Sequence, residues 1–151
     1  MKKLLFVCHG NICRSPMAEF VMKDLVKKAG LEGQFQIASA AASTEEIGCP
    51  VYPPARRKLA EHGISCDGKT ARQLTKADYT QYDLLIGMDR ANIRSMNRIC
   101  GGDPEGKLHA LLDFTDRPGE VAGPWYTGDF ETAYRDILAG CQGLLAALTE
   151  G

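Results

Sequence analysis

The sequence is short of the features that mark several classes of protein. Its apolar stretch nearest the start, Leu4 to Cys8, is far shorter than the about 20 residues of a membrane span and shorter than the core of a secretion signal. It has no basic excess, because 18 Lys and Arg residues stand against 19 Asp and Glu residues. A nucleic-acid-binding domain normally carries such an excess. We therefore expect a cytoplasmic protein that binds neither nucleic acid nor a membrane.

Motifs for metal binding and for paired redox cysteines are also missing. The six cysteines include no Cys-x-x-Cys pair, and the three histidines do not approach metal-ligand spacing. A chain of 151 residues buries enough surface to fold without disulfide or metal staples. We expect reduced cysteines, no metal and no cofactor, and we expect any special cysteine to be catalytic or redox-active.

Apolar runs alternate with helical patterns along the chain, whose length suits one domain over residues 1–151. The predicted strands cover residues 2–7, 35–39, 82–88 and 107–112. The predicted helices cover residues 16–28, 55–62, 74–79, 91–100 and 130–148, with a long loop at 113–128. Pro16 is expected at the first helical position, and Thr75 and Asp89 are expected as helix caps. This alternation predicts an α/β fold with a parallel sheet and helices on both faces.

The most informative stretch joins the first predicted strand to the first predicted helix. It reads Cys8-His9-Gly10-Asn11-Ile12-Cys13-Arg14-Ser15-Pro16. In an open α/β sheet, ligands bind at the carboxyl ends of strands, and a helix N-terminus there offers unpaired N–H groups to an anion. The sequence therefore predicts an anion-binding loop at this junction.

The same loop carries a candidate nucleophile and a candidate anion clamp. A thiol near a helix N-terminus and a cation is expected to be a thiolate at neutral pH, which makes Cys8 nucleophilic. Arg14 supplies a planar fork that matches two phosphate oxygens, and Ser15 can donate a hydrogen bond to the thiolate. A strand-end cysteine and a helix-start arginine without chemistry are the alternative interpretation, which the specificity of the whole motif disfavours.

These residues, with four later motifs, resemble the low-molecular-weight protein tyrosine phosphatases. The later motifs are Ser39-Ala40-Ala41, Thr70-Ala71-Arg72-Gln73-Leu74, Gly87-Met88-Asp89 with Asn92, and Pro124-Trp125-Tyr126. The resemblance covers essentially the whole chain. It implies a single-domain, Rossmann-like, four-stranded parallel sheet with the phosphate-binding loop between the first strand and the first helix. It also implies metal-free, two-step hydrolysis of phosphate monoesters through a phosphocysteine.

The resemblance implies a role for each matching residue. Cys8 is the nucleophile, Arg14 the phosphate clamp and transition-state stabiliser, and Ser15 the thiolate donor. Asn11 and Ser39 are the hydrogen-bonded pair that shapes the phosphate loop, which is completed by His9, Gly10, Ile12 and Cys13. Cys13 is also either a disulfide partner for an oxidised Cys8 or a small packing residue. The substrate pocket is formed by Ile12, Glu45, Trp125 and Tyr126, although Glu45 can equally be a solvated loop carboxylate.

The expected substrates are phosphotyrosine-containing proteins or peptides and small aryl phosphates. Inorganic phosphate is then the product and an inhibitor. We expect the chain to act as a monomer.

The sequence departs from the family at one catalytic position. The family's loop before the last helix carries an Asp that protonates the leaving phenolate, and this chain has Gly123 there. Loss of a positioned general acid lowers the rate by about 10²–10⁴. The chain is therefore an engineered acid-deleted form, a naturally weak relative, or an enzyme with a substitute acid. The nearest carboxylate along the chain is Asp129, whose ordinary role would be a helix cap.

Three other functions are compatible with parts of the motif. An arsenate reductase would need a further pair of nearby cysteines, which the sequence lacks. A phosphoarginine phosphatase typically has Thr where this chain has Ile12, whose apolar side chain favours a phenyl ester. A phosphotyrosine- or phosphate-binding module that is catalytically stalled would follow from the missing acid.

Overall fold

The computed structural model describes residues 1–149, apart from the side chains of Trp125 and Tyr126. The strands of this part of the chain are β1 (Lys2–Cys8), β2 (Phe35–Ala41), β3 (Leu84–Gly87) and β4 (Leu108–Ala110). Its α-helices are α1 (Arg14–Lys28), α2 (Pro53–Glu61), α3 (Lys76–Gln81), α4 (Arg90–Cys100), α5 (Pro124–Thr127) and α6 (Phe130–Thr149). Short 3₁₀ helices cover Glu32–Gln34 and Leu111–Phe114. No helix within the described residues is long and apolar enough to cross a bilayer.

The four strands form one parallel sheet in the order β2-β1-β3-β4. The last residue of β1, Cys8, is in register with Ala41 at the end of β2, and Val7 is in register with Gly87 at the end of β3. Since all strands run the same way, their carboxyl ends meet at one edge of the sheet. The loop that follows Cys8 therefore lies at the edge where α/β proteins bind ligands.

Strand β1 supplies both hydrophobic cores because its successive side chains point to opposite faces. Leu4 and Phe6 belong to a core under α1, α2 and α6, whereas Leu5 and Val7 belong to a core under α3 and α4. All four side chains are fully buried. A strand that is apolar on both faces requires a cover on each, and the helices on both faces that the sequence predicts are confirmed.

The main differences from the sequence-based elements are at their ends. Helix α1 begins at Arg14, two residues before the predicted start at Pro16. The strand predicted at 107–112 is only Leu108–Ala110, because the chain turns there into the 3₁₀ helix Leu111–Phe114. The predicted strand at 82–88 is likewise shorter, Leu84–Gly87.

The loop predicted at 113–128 contains the short helix α5. Pro124 is at its start and Gly128, with a φ of 71°, ends it. Four residues are too few to show a helical period, so the pattern of apolar residues carries no signal for this helix.

The structure has both predicted helix caps. Thr75 is the N-cap residue of α3, and Asp89 is the N-cap residue of α4.

Two glycines of α6 allow this helix to pack directly on the 3₁₀ helix at Leu111–Phe114. A Cβ on Gly143 would lie 1.9 Å from the carbonyl oxygen of Phe114, and one on Gly140 would lie 2.4 Å from Cγ of Leu111. Contacts this short do not occur between real atoms of these types. The absence of a side chain at both positions is therefore a condition of this packing.

We predict that Gly143→Ala destabilises the fold by about 1–3 kcal/mol through overpacking. Alanine is by itself the better helix former by about 1 kcal/mol, so an isolated helix would change in the opposite direction. Urea unfolding measures the difference. Gly33→Ala is the matched control because a Cβ there meets no atom within 4 Å. Equal stability of Gly143→Ala and the parent would contradict the close packing.

Candidate active site

The loop between β1 and α1 curls around the sulfur of Cys8. The backbone N–H of Asn11 donates a hydrogen bond to Cys8 Sγ over 3.3 Å, and Ser15 Oγ lies 3.0 Å from the same sulfur. Asn11 has a φ of 58°, a left-handed conformation that few residues other than glycine adopt. The turn at Asn11 aims its N–H inward, so the loop presents backbone donors to the space above the thiol.

The side chain of Asn11 holds the loop in this shape. Its Oδ1 accepts a hydrogen bond from the backbone N–H of Arg72 over 3.2 Å, which fixes the orientation of the amide. Its Nδ2 then donates to Ser15 Oγ over 2.8 Å and to Ser39 Oγ over 2.9 Å. Both amide hydrogens and the amide oxygen are therefore used, and the side chain is buried.

The bond from Asn11 leaves the hydroxyl hydrogen of Ser15 free to donate to a thiolate at Cys8. The hydroxyl oxygen of Ser15 accepts from Asn11, and its hydrogen is left for the sulfur of Cys8. The neighbouring hydroxyl, Ser39, sends its hydrogen the other way, to Oε1 of the buried Glu19 at 2.5 Å. Cys8 Sγ thus receives one O–H and one N–H donor, and hydrogen bonds of this kind stabilise a thiolate.

Cys13, the second thiol of the loop, has the opposite environment. Burial is the main reason that the pKa of Cys13 is raised to about 12, and the nearby charge of Cys8 adds to this effect although Arg14 opposes it. Cys13 is therefore a neutral thiol at neutral pH. Of the two thiols, only Cys8 receives donors that favour its charged form.

Arg14 is held by one end of its guanidinium. Its Nη1 donates to Oδ2 of Asp89 over 2.7 Å and to the carbonyl oxygen of Val121 over 3.0 Å. Within the described residues, these are the hydrogen bonds that its side chain makes. The remaining N–H groups are thus available to two oxygens of a bound oxyanion.

Asp89 performs two tasks with its two carboxylate oxygens. Oδ2 binds Arg14, while Oδ1 accepts from the backbone N–H of Asn92 over 2.7 Å and caps α4. Asn92 Oδ1 in turn accepts hydrogen bonds from the backbone N–H groups of Met88 and Asp89. The sequence predicts Asp89 as a helix cap. Its second contact, which orients Arg14, has no signal in the sequence.

The segment before α5 is fastened to the same edge of the sheet. Val121 donates its N–H to the carbonyl of Met88 over 2.9 Å, and the carboxylate of Glu120 accepts from the N–H of Arg90 over 2.7 Å. With the bond from Arg14 to the Val121 carbonyl, this places Gly123 beside the loop. Gly123 has an extended backbone and is the N-cap residue of α5.

These elements enclose a cleft of about 250 Å³ over the thiol. Its lining residues come from the loop, from the segment after β2 and from the start of α5: Cys8, His9, Gly10, Ile12, Cys13, Arg14, Glu45, Glu46, Gly123 and Pro124. Most of the predicted site residues are thus brought together. Asn11, Ser15 and Ser39 lie behind the loop as its buried support. The predicted pocket side chains of Trp125 and Tyr126 lie outside the described part of the structure.

Asp129, the predicted candidate for a substitute acid, is engaged elsewhere. Its carboxylate accepts from the backbone N–H of Thr132 over 2.9 Å and from the Thr132 hydroxyl over 2.7 Å, so it caps α6. These bonds lower the pKa of Asp129, the backbone bond most. The described lining of the cleft does not include this residue.

Sequence reasoning missed Glu46 as a lining residue. A Cβ on Gly10 would lie 3.3 Å from Cγ of Glu46, so the loop and this side chain pack closely. The Glu46 carboxylate also accepts a hydrogen bond from Cys49, which raises the pKa of that thiol. A pair of adjacent glutamates in a loop gives no sequence signal for one of them facing a cleft.

We predict that iodoacetamide labels Cys8 selectively at about pH 7. The pKa values of Cys13, Cys49, Cys66, Cys100 and Cys141 are all raised, mainly by burial and at Cys49 by its bond to Glu46. With a pKa of about 12, Cys13 is a thiolate in only about one molecule in 10⁵ at this pH. Peptide mass spectrometry reads the labelled position, and Cys8→Ser should lose the rapid label. Preferential labelling of Cys13 would contradict the assignment of the two thiols.

The comparisons with known proteins agree on one family. The sequence model described as "Low molecular weight phosphotyrosine protein phosphatase" matches residues 3–151. The low molecular weight protein-tyrosine-phosphatase YfkJ of Bacillus subtilis is 41% identical over 150 residues, which cover 98% of this chain and 96% of the relative.

Solved structures have the same fold over their whole length. The YfkJ crystal structure has a TM-score of 0.96 at 40% identity, with 99% of this chain and 96% of that chain covered. The low molecular weight protein tyrosine phosphatase SP-PTP from Streptococcus pyogenes has a TM-score of 0.89 at 39% identity, and the match covers 99% of this chain and 94% of that chain. The drosophila arginine phosphatase DARP has a TM-score of 0.90 at 27% identity, and the match covers 99% of this chain and 98% of that chain. On the family match over nearly all of its length, this chain belongs to the low molecular weight phosphotyrosine protein phosphatases.

Proposed function

We propose that this protein hydrolyses phosphotyrosine and other aryl phosphates in two steps through a phosphocysteine on Cys8. The observation that carries the proposal is the position of the Cys8 sulfur, which receives hydrogen bonds from Asn11 and Ser15 at the cleft that Arg14 also lines. In the first step, the thiolate attacks phosphorus and the aryl oxygen leaves. In the second step, water attacks phosphorus and the thiolate departs as inorganic phosphate forms.

Arg14 is the phosphate clamp in this proposal. Its Nη1 is held by Asp89 and Val121, so the free part of the guanidinium can bind two equatorial oxygens of the phosphoryl group. The donors of the loop backbone supply the rest of the oxyanion site. A rigidly held arginine loses little conformational entropy on binding, which favours the trigonal-bipyramidal transition state.

Ser15 assists the second step. Its hydroxyl lies 3.0 Å from Cys8 Sγ and donates to this sulfur in the thiolate form, which has no hydrogen of its own to donate. A hydrogen bond to sulfur stabilises the thiolate that leaves when phosphocysteine is hydrolysed. Ser39 and Asn11 act as positioning residues, since they hold Ser15 and the loop without reaching the cleft.

The first step lacks the family's proton donor, because glycine at position 123 has no side chain to supply it. Asp129 is poorly suited to act as a substitute proton donor, because its carboxylate is bound to Thr132 and its pKa is lowered. We therefore infer that the cleavage of phosphotyrosine is slow in this chain. The effect should be largest for leaving groups that need a proton.

Phosphorylated proteins in the cytoplasm are the proposed substrates. A thiol nucleophile requires a reducing compartment, and all six cysteines are free thiols. The rim carboxylates of Glu45 and Glu46 add negative charge beside the cleft, which disfavours acidic sequences around the phosphorylated residue.

A phosphoarginine phosphatase is the second candidate, and the structural similarity to DARP supports it. The apolar side chain of Ile12 lines the cleft and favours an aryl group over a guanidinium. A stalled phosphotyrosine- or phosphate-binding module is the third candidate and rests on Gly123 alone.

We predict that Gly123→Asp raises the rate of phosphate release from a phosphotyrosine peptide by about 10²-fold, because it restores the carboxylic acid that the family has at this position. Steady-state release is measured with chelator and reductant present, and Cys8→Ser serves as the blank. A phosphoarginine peptide of the same sequence is assayed in parallel.

Each alternative has its own outcome. Faster turnover of the phosphoarginine peptide by the parent would favour the second candidate. Equal and negligible rates of the parent and of Gly123→Asp on both peptides, together with retained peptide binding, would favour the binding module.

A further inference from the structure

The cleft contains one pair of side chains that the proposed mechanism leaves unused. His9 directly follows the nucleophile and lines the cleft, and Glu45 lines it from the segment after β2. Nε2 of His9 lies 3.0 Å from Oε2 of Glu45. Their side chains are 58% and 67% exposed, so both exchange protons freely with water.

The backbone fixes these two residues relative to each other. The carbonyl of His9 accepts hydrogen bonds from the N–H and the hydroxyl of Ser43, over 3.0 and 2.9 Å. One residue earlier, the carbonyl of Cys8 accepts from the N–H of Ala42 over 2.9 Å. The segment that carries Glu45 is thus tied to the phosphate loop beside the nucleophile. His9 and Glu45 therefore meet across two segments whose backbones are bonded to each other.

A proton donor for the leaving oxygen must hold its proton near neutral pH and also release it. Among the described residues that line the cleft, Arg14 stays charged and Cys13 has a pKa of about 12, so neither is suited. Carboxylic acids of ordinary acidity have already lost their proton at neutral pH. Imidazole is the side chain that most often acts as a general acid in enzymes, and His9 brings one to the cleft beside the nucleophile.

We propose that His9, oriented by Glu45, donates the proton to the leaving oxygen in place of the side chain that is absent at Gly123. The proposal rests on the function proposed above. Glu45 accepts the Nε2–H of the imidazolium, and the Nδ1–H remains for the substrate. Cys8 Sγ forms the bond to phosphorus, the bond from phosphorus to the aryl oxygen breaks, and its electron pair takes the Nδ1 proton. His9 is left as the neutral imidazole.

The second step returns the proton. The neutral imidazole removes a proton from the water that attacks phosphorus, the bond from sulfur to phosphorus breaks, and its electron pair returns to Sγ. The products are inorganic phosphate, the thiolate and the imidazolium, so the cycle closes without another reactant. The charged groups that line the cleft together with His9 are the carboxylates of Glu45 and Glu46, the thiolate of Cys8 and the guanidinium of Arg14.

The test compares leaving groups. His9→Gln should lower kcat/KM on a phosphotyrosine peptide by about tenfold or more, because phenolate leaves poorly without a proton. The loss should be clearly smaller on 2,4-dinitrophenyl phosphate, whose leaving group departs without one. The activity of the parent on phosphotyrosine should also fall at alkaline pH, and this decline should be absent from His9→Gln. Glu45→Gln should lower kcat/KM on the phosphotyrosine peptide more than on 2,4-dinitrophenyl phosphate, because the imidazole loses the partner that orients it.

The matched control is His62→Gln, which removes a histidine that is stacked on Tyr134, 4.0 Å between ring centroids, and does not line the cleft. It should behave as the parent on both substrates. Combining His9→Gln with Gly123→Asp provides the second measurement. The effect of His9→Gln on phosphotyrosine should shrink there, since a second donor is present.

Several results would overturn the proposal. Equal losses of His9→Gln on both substrates would show a structural role, and no loss on either would show no role. An inactive parent beside an active Gly123→Asp would also overturn it, while leaving the proposed function intact. Inactivity of both chains on phosphotyrosine would refute the proposed function and this inference with it.

Discussion

The buried amide of Asn11 is the interaction on which the rest of the site depends. Its oxygen and both its hydrogens are bonded to three separate parts of the chain: Arg72, Ser15 and Ser39. A left-handed conformation at a residue with a Cβ is unfavourable by itself and persists only where the surroundings over-determine it. The same bonds that stabilise the turn also direct the Ser15 hydroxyl at the sulfur. Loop shape and thiol electrostatics are therefore one property of the molecule.

The proposed arginine clamp depends on a residue that makes two contacts at once. One carboxylate oxygen of Asp89 caps the start of α4, and the other binds Arg14. The helix that covers one face of the sheet therefore also sets the position of the guanidinium. The ion pair of Arg14 and Asp89 is partly buried, so removing one partner leaves a poorly compensated charge, which destabilises the fold. Stability and the proposed oxyanion binding are thus coupled at this residue. A substitution there would report on both.

The sequence predicts the fold and the loop well because their signals are local. The motif from Cys8 to Ser15 lies within one strand end and one helix start, and the cap at Asp89 is read from its neighbours. The supports of the site are different in kind. Arg14 reaches Asp89 across 75 residues and Val121 across 107, and Asn11 reaches Arg72 across 61. Residues so far apart in sequence form no periodic pattern that would predict their contact. A contact to a backbone carbonyl, such as that of Val121, cannot be read from residue identity, because every residue has one.

The bonds at Glu120 and Val121 also bear on how this family can vary in length. They attach the end of the long connection between β4 and α5 to Arg90, Met88 and Arg14. Earlier in that connection, a Cβ added to Gly119 would meet no atom within 4 Å. Insertions or deletions upstream of these anchors would change the surface and leave the cleft in place, because lengthening a flexible loop adds little entropy cost. Such changes would remodel the approach to the cleft without moving the residues that line it.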